Sequence, residues 1–384
     1  MTKTITYGII GCGMMGQEHL RNIALLPGAQ VGAIYEPDPD MAALARRLAP
    51  GARFFTDLDA MLASDRIDCL LIASPNHHHL AQLEAIARAR PRPVLVEKPL
   101  LTHESDLARL AAFRASYAAP VWVAMEYRYM PAIAEFLRAA PGATGGIRML
   151  SLREHRFPFL PKVGDWNRFA DQTGGTFVEK CCHFFDLMRL ALGAEPVRIM
   201  ASAGQDVNHL VPDETGPRAD VLDNGYVIVD FEGGARALLD LCMFAEGSEY
   251  QEEISAVGPK GKIEARVPGP ARFWPERLGP PPEGQLILSP RHPKGALRRA
   301  VPVPQDLLEA GDHNGATFYQ HQRFLALVRG ETGAPEVTIE DGLISVLMGR
   351  AAERSAREGR AVAMAEMLAL HAQGAAQAEG LAAG

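Results

Sequence analysis

Cysteine is scarce: Cys12, Cys69, Cys181, Cys182 and Cys242 are the five in 384 residues. Odd in number, scattered and without metal-ligand spacing, they exclude a disulfide framework and a thiolate metal centre, and read as reduced, mostly buried small side chains. Basic residues are short as well. With 39 Lys and Arg against 46 Asp and Glu, the net charge of -7 leaves no surplus to neutralise phosphates, so no nucleic-acid partner is expected. No apolar run reaches the length of a membrane span and nothing resembles a signal peptide; the expected setting is cytoplasmic, with no membrane partner. Internal repeats are also absent. The chain is longer than a single core of usual size, which makes two domains the natural expectation.

Chemistry first enters at the amino terminus. Ile5 to Ile10 reads as a short buried strand, and Gly11-Cys12-Gly13-Met14-Met15-Gly16 leads from it into a helical stretch that continues to Leu26. In a strand-to-helix turn Gly11 permits the tight bend, Gly13 lets a pyrophosphate approach the backbone, and Gly16 lets helix and strand pack closely. The start of the helix, with Met14 and Met15, favours anionic phosphates. A second strand, Val31 to Tyr35, ends at Glu36, where a carboxylate would bind the adenosine ribose hydroxyls. The residues after it are Pro37, Asp38, Pro39 and Asp40. Glu36 without a basic neighbour repels a 2'-phosphate, so NAD is expected and NADP is the lesser alternative.

Helix and strand signals alternate up to Met125. Helices are predicted over Asp40–Leu48, Asp57–Ala63, Leu80–Ala89 and Glu104–Tyr117, and strands over Ile67–Ala73, Val94–Val96 and Val121–Met125. The repetition predicts a parallel sheet with right-handed crossovers. Glu97-Lys98-Pro99 directly follows the strand Val94–Val96, which puts an ionisable amine at the carboxyl edge where such sheets bind ligands. Pro99 ends the strand and keeps Lys98 extended; the bland alternative is a solvated lysine. Three successive histidines, His77 to His79, diverge by about 100° per residue on a helix and do not converge on one ion, so no metal is expected. Ser74, Asn76 and His79, with Glu97, are instead candidates for cofactor contacts at that edge.

Beyond Met125 the pattern changes. Strands are predicted over Ile147–Arg156, Tyr226–Phe231, Ala235–Cys242, Glu252–Val257 and Gly261–Val267, without intervening helices, as in an open antiparallel or mixed sheet. Helices are predicted over Thr176–Leu192, His313–Val328 and Ile339–Glu358. Pro268 to Pro304 reads as a long surface excursion, and the tail beyond Arg360 as alanine-rich, helical or frayed. On a helix Glu179 and His183 share a face with Asp186 close by, and a carboxylate one turn from an imidazole fixes its tautomer and raises its basicity, as a general base requires. Two plainer readings stand beside this: Thr176-x-x-Glu179 is a capping box, and His183 is a packed histidine between Cys182 and Phe184. Asp186 is expected to support the fold or the His183 ring.

Gly11-x-Gly13-x-x-Gly16, Ser74-Pro75-Asn76-x-x-His79, Glu97-Lys98-Pro99, Tyr127-Arg128 with Pro131, and Gly174-Gly175 leading to Glu179, His183 and Asp186 occur in one order. Together they resemble the Gfo/Idh/MocA oxidoreductases, the glucose-fructose oxidoreductase and inositol dehydrogenase group, from about residue 4 to residue 362. The resemblance implies an α/β fold: an N-terminal Rossmann NAD-binding domain (1–125), a C-terminal α/β domain with an open, mostly antiparallel sheet for substrate and oligomerisation (126–362), then the tail (363–384). It implies homodimers or homotetramers, and a small polyol, sugar or glycoside as substrate. Lys98 and His183 would flank a secondary alcohol, with Glu179 as third member, although many family dehydrogenases carry aspartate there. The expected reaction removes the hydroxyl proton with His183 while hydride leaves the same carbon for the nicotinamide, and Lys98 stabilises the developing alkoxide. Trp166 and Arg168, in the loop from Phe157 to Gln172, are added as cofactor contacts, and Tyr127, Arg156 and Trp166 as substrate contacts; Arg156, Tyr127 and Arg128 have a structural alternative. Two other activities occur among relatives of this kind: glycoside cleavage through transient C3 oxidation by bound NAD, and non-catalytic sensing of NAD or sugar.

Overall fold

The short apolar runs of the first third become six strands in the computed structural model, which describes residues 3–208, 210 and 218–372. They are β1 (Ile5–Ile10), β2 (Ala29–Tyr35), β3 (Arg53–Phe55), β4 (Cys69–Ile72), β5 (Val94–Val96) and β6 (Val121–Val123), arranged β3-β2-β1-β4-β5-β6. Every neighbouring pair is parallel. β4 and β5 are buried at each position, as strands covered on both faces must be. Strand order reverses between β1 and β4, and a crevice opens at such a point beyond the carboxyl ends. The glycine loop follows β1, Ser74 to His79 follow β4, and Glu97-Lys98 follow β5, so the topology brings three predicted segments to one edge.

The second sheet has nine strands: β7 (Met149–His155), β8 (Pro196–Gly204), β9 (Asn224–Phe231), β10 (Arg236–Cys242), β11 (Glu252–Gly258), β12 (Gly261–Val267), β13 (Gly284–Pro290), β14 (Leu297–Val301) and β15 (Val362–Ala363). Their order is β14-β13-β12-β11-β7-β10-β9-β8-β15. β7 and β10 run parallel and the other pairs antiparallel. Side chains alternate between faces: along β7 and β10 every second residue is buried, and the helices Pro131–Thr144 and Ile339–Glu358 pack on the sheet, the first over β11, β12 and β13 and the second over β8 and β15. The opposite face leaves Met149, Tyr226, Ile228 and Val257 exposed. The register also sets Glu154 of β7 opposite Glu252 of β11, both fully buried.

Several expectations need correction. The predicted excursion Pro268–Pro304 contains β13 and β14, which extend the sheet at its edge, where proline at a strand end is tolerated. The predicted helix Thr176–Leu192 is two helices, Thr176–Glu179 and Cys182–Leu192, broken at Lys180 and Cys181. Its amino terminus has no capping box: Gly175 is the cap residue and Thr176 Oγ1 donates instead to Leu222 O, 2.6 Å away. A capping box does exist where none was predicted, between Thr338 and Asp341, and it starts the helix Ile339–Glu358 over the predicted span. From the second domain the helix Ala316–Val328 returns to pack on Met14–Ala24 and places Phe324 against Tyr7 and Trp122 of the first sheet. The tail begins ordered, since Val362–Ala363 pairs with β8 and Met364 and Met367 are buried; 373–384 lie outside the described residues.

Candidate active site

The glycine loop has the geometry its spacing requires. Gly11 has φ of 90°, and a Cβ there would stand 2.7 Å from the backbone nitrogen of Ser74; one on Gly16 would stand 2.4 Å from Gly11 O. A Cβ on Gly13 would meet nothing within 4 Å, so this residue faces open space. The helix Met14–Ala24 starts there without a side-chain cap, which leaves its first N–H groups for an anion. Met14 is exposed beside the opening and Met15 half-buried. Glu36 reaches the same loop: its Oε2 accepts from Cys12 N at 2.5 Å and its Oε1 from Asp38 N at 2.9 Å. An open backbone, an uncapped helix start and a carboxylate at the end of the second strand fit a dinucleotide.

Four of the predicted cofactor contacts turn out to hold the edge together. Ser74 Oγ donates to Gln82 Oε1 at 2.6 Å. His79, fully buried, has Nδ1 2.8 Å from Pro99 O and Nε2 3.1 Å from Ser74 O. Glu97 is 3% exposed; its oxygens take His19 Nε2 at 2.9 Å and the Lys98 N–H at 3.2 Å. In this structure His79 and Glu97 position the edge, with their side-chain polar atoms engaged by protein partners. Asn76 donates to the carboxylate of Glu179 and so ties the first sheet's edge to the second domain.

Glu179 is where the two halves meet. Lys98 Nζ donates to the Glu179 carbonyl oxygen at 3.0 Å and lies 4.0 Å from its Oε1; Lys162 Nζ lies 3.7 Å from the same oxygen. Burial alone would raise the Glu179 carboxyl, but Lys98 and then Lys162 outweigh it and hold it low. Burial works against the Lys98 ammonium, yet Glu179 wins and raises it. His183, 1% exposed, lies flat against Tyr127, with centroids 4.0 Å apart and planes 5° from parallel. Burial first, then the charges of Lys98 and Lys180, push this imidazole well below its ordinary range, which keeps it neutral. Lys98 and His183 thus share one electrostatic environment. The expected tautomer-fixing by Glu179 is corrected: the helix break separates them, Glu179 engages Asn76 and lysines, and His183 Nδ1 is buried without a hydrogen-bond partner.

The other predicted residues divide. Tyr127 OH accepts from Lys180 Nζ at 2.5 Å, and Lys180 pairs with Glu154 at 2.9 Å. Arg156 reaches Glu154 at 3.3 Å and stacks its guanidinium over Phe157. Trp166 lies under Lys162 Nζ, 4.3 Å from its ring centroid, and edge-on to His77. Arg168 stands 3.7 Å from Asp165 and touches none of the Lys98, Glu179 and His183 side chains in a hydrogen bond or ion pair. Arg128 and Asp186 form a buried two-point ion pair, so both serve the fold. Lys180, Glu154 and Glu252 were not singled out from sequence. Burial and the facing Glu154 push Glu252 up to about 7, a consequence of strand register that local spacing does not reveal.

A second cluster borders Tyr127. Glu18, Glu126 and His313 are, among the described residues, the group whose ligand atoms converge within 4.8 Å. His313 Nδ1 is 2.7 Å from Glu18, and Thr317 Oγ1 lies 2.9 Å and 2.7 Å from the two carboxylates. Burial would lower His313, but Glu126 and Glu18 raise it to about 9, which makes it the cation between them. A folded value above the ordinary one means that its stabilisation is complete below about pH 6.5 and fades as pH rises through about 9. The thermal midpoint of the native chain should therefore drop more steeply over that interval than that of His313→Asn; parallel pH profiles would contradict the ion pairing.

Residues 5–125 match a family model described as oxidoreductase family, NAD-binding Rossmann fold, and residues 141–364 match its companion, the C-terminal alpha/beta domain. Inositol 2-dehydrogenase 2 of Saccharopolyspora erythraea is 29% identical over 322 residues, covering 82% of this chain and 88% of its own. An inositol 2-dehydrogenase of Corynebacterium glutamicum is 31% identical over 71% of this chain and 77% of its own. In fold, the chain is similar to the crystal structure of scyllo-inositol dehydrogenase from Lactobacillus casei with bound NAD(H) and scyllo-inositol, with a TM-score of 0.70, 22% identity, and coverage of 94% and 100%.

Proposed function

This chain belongs to the Gfo/Idh/MocA oxidoreductase family, and from that premise we propose that it oxidises a secondary hydroxyl of a sugar, sugar derivative or cyclitol to a ketone, or reduces the ketone, with NAD rather than NADP. The observation that carries this reading is the Lys98 ammonium donating to the Glu179 carbonyl across the two domains, with the buried His183 imidazole depressed by burial and then by the charge of Lys98. Lys98 spends one N–H on the Glu179 carbonyl and keeps two for the reacting oxygen, where alkoxide charge develops. His183 takes the hydroxyl proton at Nε2, since Nδ1 is sealed in the interior. Tyr127, held by Lys180, fixes the ring plane. Asn76 and the lysines orient Glu179 as the third member. When bound along Gly11 to Gly16, the dinucleotide supplies the hydride acceptor. The preference for NAD is supported by Glu36 with no basic residue among the four that follow it, and pairing of subunits by the exposed apolar residues of the open sheet face.

A spectrophotometric screen of cyclitols, aldoses, sugar acids and glycosides tests the reading. NADH formation with at least one free carbinol substrate is expected, and faster with NAD than with NADP. Aglycone release from a nitrophenyl glycoside without accumulating NADH would replace net dehydrogenation with glycosidase chemistry, and no change in any compound would end the enzymatic reading.

A further inference from the structure

Lys162 is the ammonium of the site that the protein holds at ion-pair distance only. Its Nζ makes no hydrogen bond among the described residues; the 3.7 Å to Glu179 Oε1 is too long for one, and its other near neighbour is the face of Trp166. The side chain is 23% exposed, so it borders the cleft and is not sealed in the core. Its placement is built in: the Lys162 carbonyl accepts from Asp165 N at 2.9 Å across a turn in which Gly164 and Asp165 both have positive φ, 70° and 49°. A non-glycine residue held there is the kind of local strain found around functional sites. Within 4.0 Å, Lys98 and Lys162 reach one carboxylate between them, Glu179, which Asn76 already engages. Lys180 differs, since Glu154 stands 2.9 Å away and Tyr127 OH accepts from it. Burial lowers the Lys162 ammonium, and Lys98 repels it further despite the pull of Glu179. Within 4.0 Å the two ammonium groups therefore share one carboxylate, with Glu97 acting on both from farther away, and an ammonium short of hydrogen-bond partners is costly away from water.

We propose that the substrate carries a carboxylate, and that Lys162 is the specificity-determining residue that binds it: the chain acts on a polyhydroxy acid of the uronic or aldonic type and not on a neutral polyol. This rests on the dehydrogenase reading of the same site. An ammonium held at ion-pair distance without a hydrogen-bond partner matches a single carboxylate, and a phosphate dianion would crowd the Glu179 carboxylate beside it. Both ammonium groups lie within 4.0 Å of one Glu179 oxygen, so a single sugar-sized ligand spans them, its hydroxyl oxygen at Lys98 and its carboxylate at Lys162. Charge-assisted hydrogen bonds of this kind are among the strong ones.

Two measurements on the full chain separate this inference from the reading beneath it. Calorimetric titration with D-glucuronate and D-gluconate, each against its neutral counterparts D-glucose and sorbitol in the presence of NADH, should show tighter binding of an acid. In Lys162→Met the acid-to-neutral affinity ratio should fall about tenfold or more, as expected for a lost charged hydrogen bond. Acids binding no better than neutral compounds, glucose 6-phosphate outcompeting every carboxylate, or a ratio unmoved by Lys162→Met would overturn it; the last is what a lysine that merely positions Glu179 would give. NAD reduction by the same compounds reports separately on dehydrogenation. Acid binding lost in Lys162→Met but without turnover in the native chain would uphold the carboxylate site and sink the oxidoreductase reaction.

Discussion

Replacing His183 with alanine should lower kcat by about 10²–10⁴-fold, the usual contribution of a positioned general base, while leaving dinucleotide affinity close to that of the native chain. His183 is set apart from the glycine loop by the topology: it sits on the helix Cys182–Leu192 of the second domain, whereas Gly11 to Gly16 and Glu36 belong to the first sheet. It also touches Tyr127 by ring stacking and makes no hydrogen bond through Nδ1, so truncation removes packing without orphaning a buried partner. NADH fluorescence titration and the thermal midpoint distinguish loss of chemistry from loss of fold. Turnover within a few-fold of native, with a fold intact, would remove His183 from the reaction.

Lys98→Met should cost about 10²–10³-fold in kcat, comparable to removing one donor from an oxyanion site, because the ammonium contacts the substrate oxygen most strongly when charge builds on it. Its consequences differ from those of His183→Ala. Glu179 keeps Lys162 and Asn76 but loses the donor to its backbone carbonyl and the largest of its three lysine influences. His183 loses the strongest of the charges that depress it, so the acid limb of the pH profile of the residual activity should move upward. A rise in KM without a drop in kcat would show that Lys98 contributes ground-state binding only.

Much of this was legible in sequence because it is local. β1, β5, β12 and the helix Ile339–Glu358 fall on their predicted spans, since strand alternation, helical spacing and turn residues all act within a few positions. The glycine loop, Glu36 and the place of Lys98 at a sheet edge follow from the same short-range rules. Resemblance linked Lys98 to His183 across the domains, and no spacing rule would have done so. The losses are long-range. Glu154 meets Glu252 only through strand register, and Lys162 meets Glu179 only because the loop after β7 folds back over the cleft. His79 and Glu97 are polar residues at the right edge, yet their atoms are used up by Pro99, Ser74 and His19, which a motif cannot show. The break at Lys180 and Cys181 went unseen because Thr176 to Leu192 keeps an apolar pattern through it.

Titration of the His183 Cε1 proton by NMR, in the native chain and in Lys98→Met, addresses directly whether the amine of the first domain and the imidazole of the second occupy one cleft. The native ring should stay neutral well below the ordinary histidine range, and its titration should shift upward when Lys98 is replaced. Identical curves for the two proteins, or a native ring that titrates as a solvated histidine does, would contradict the account.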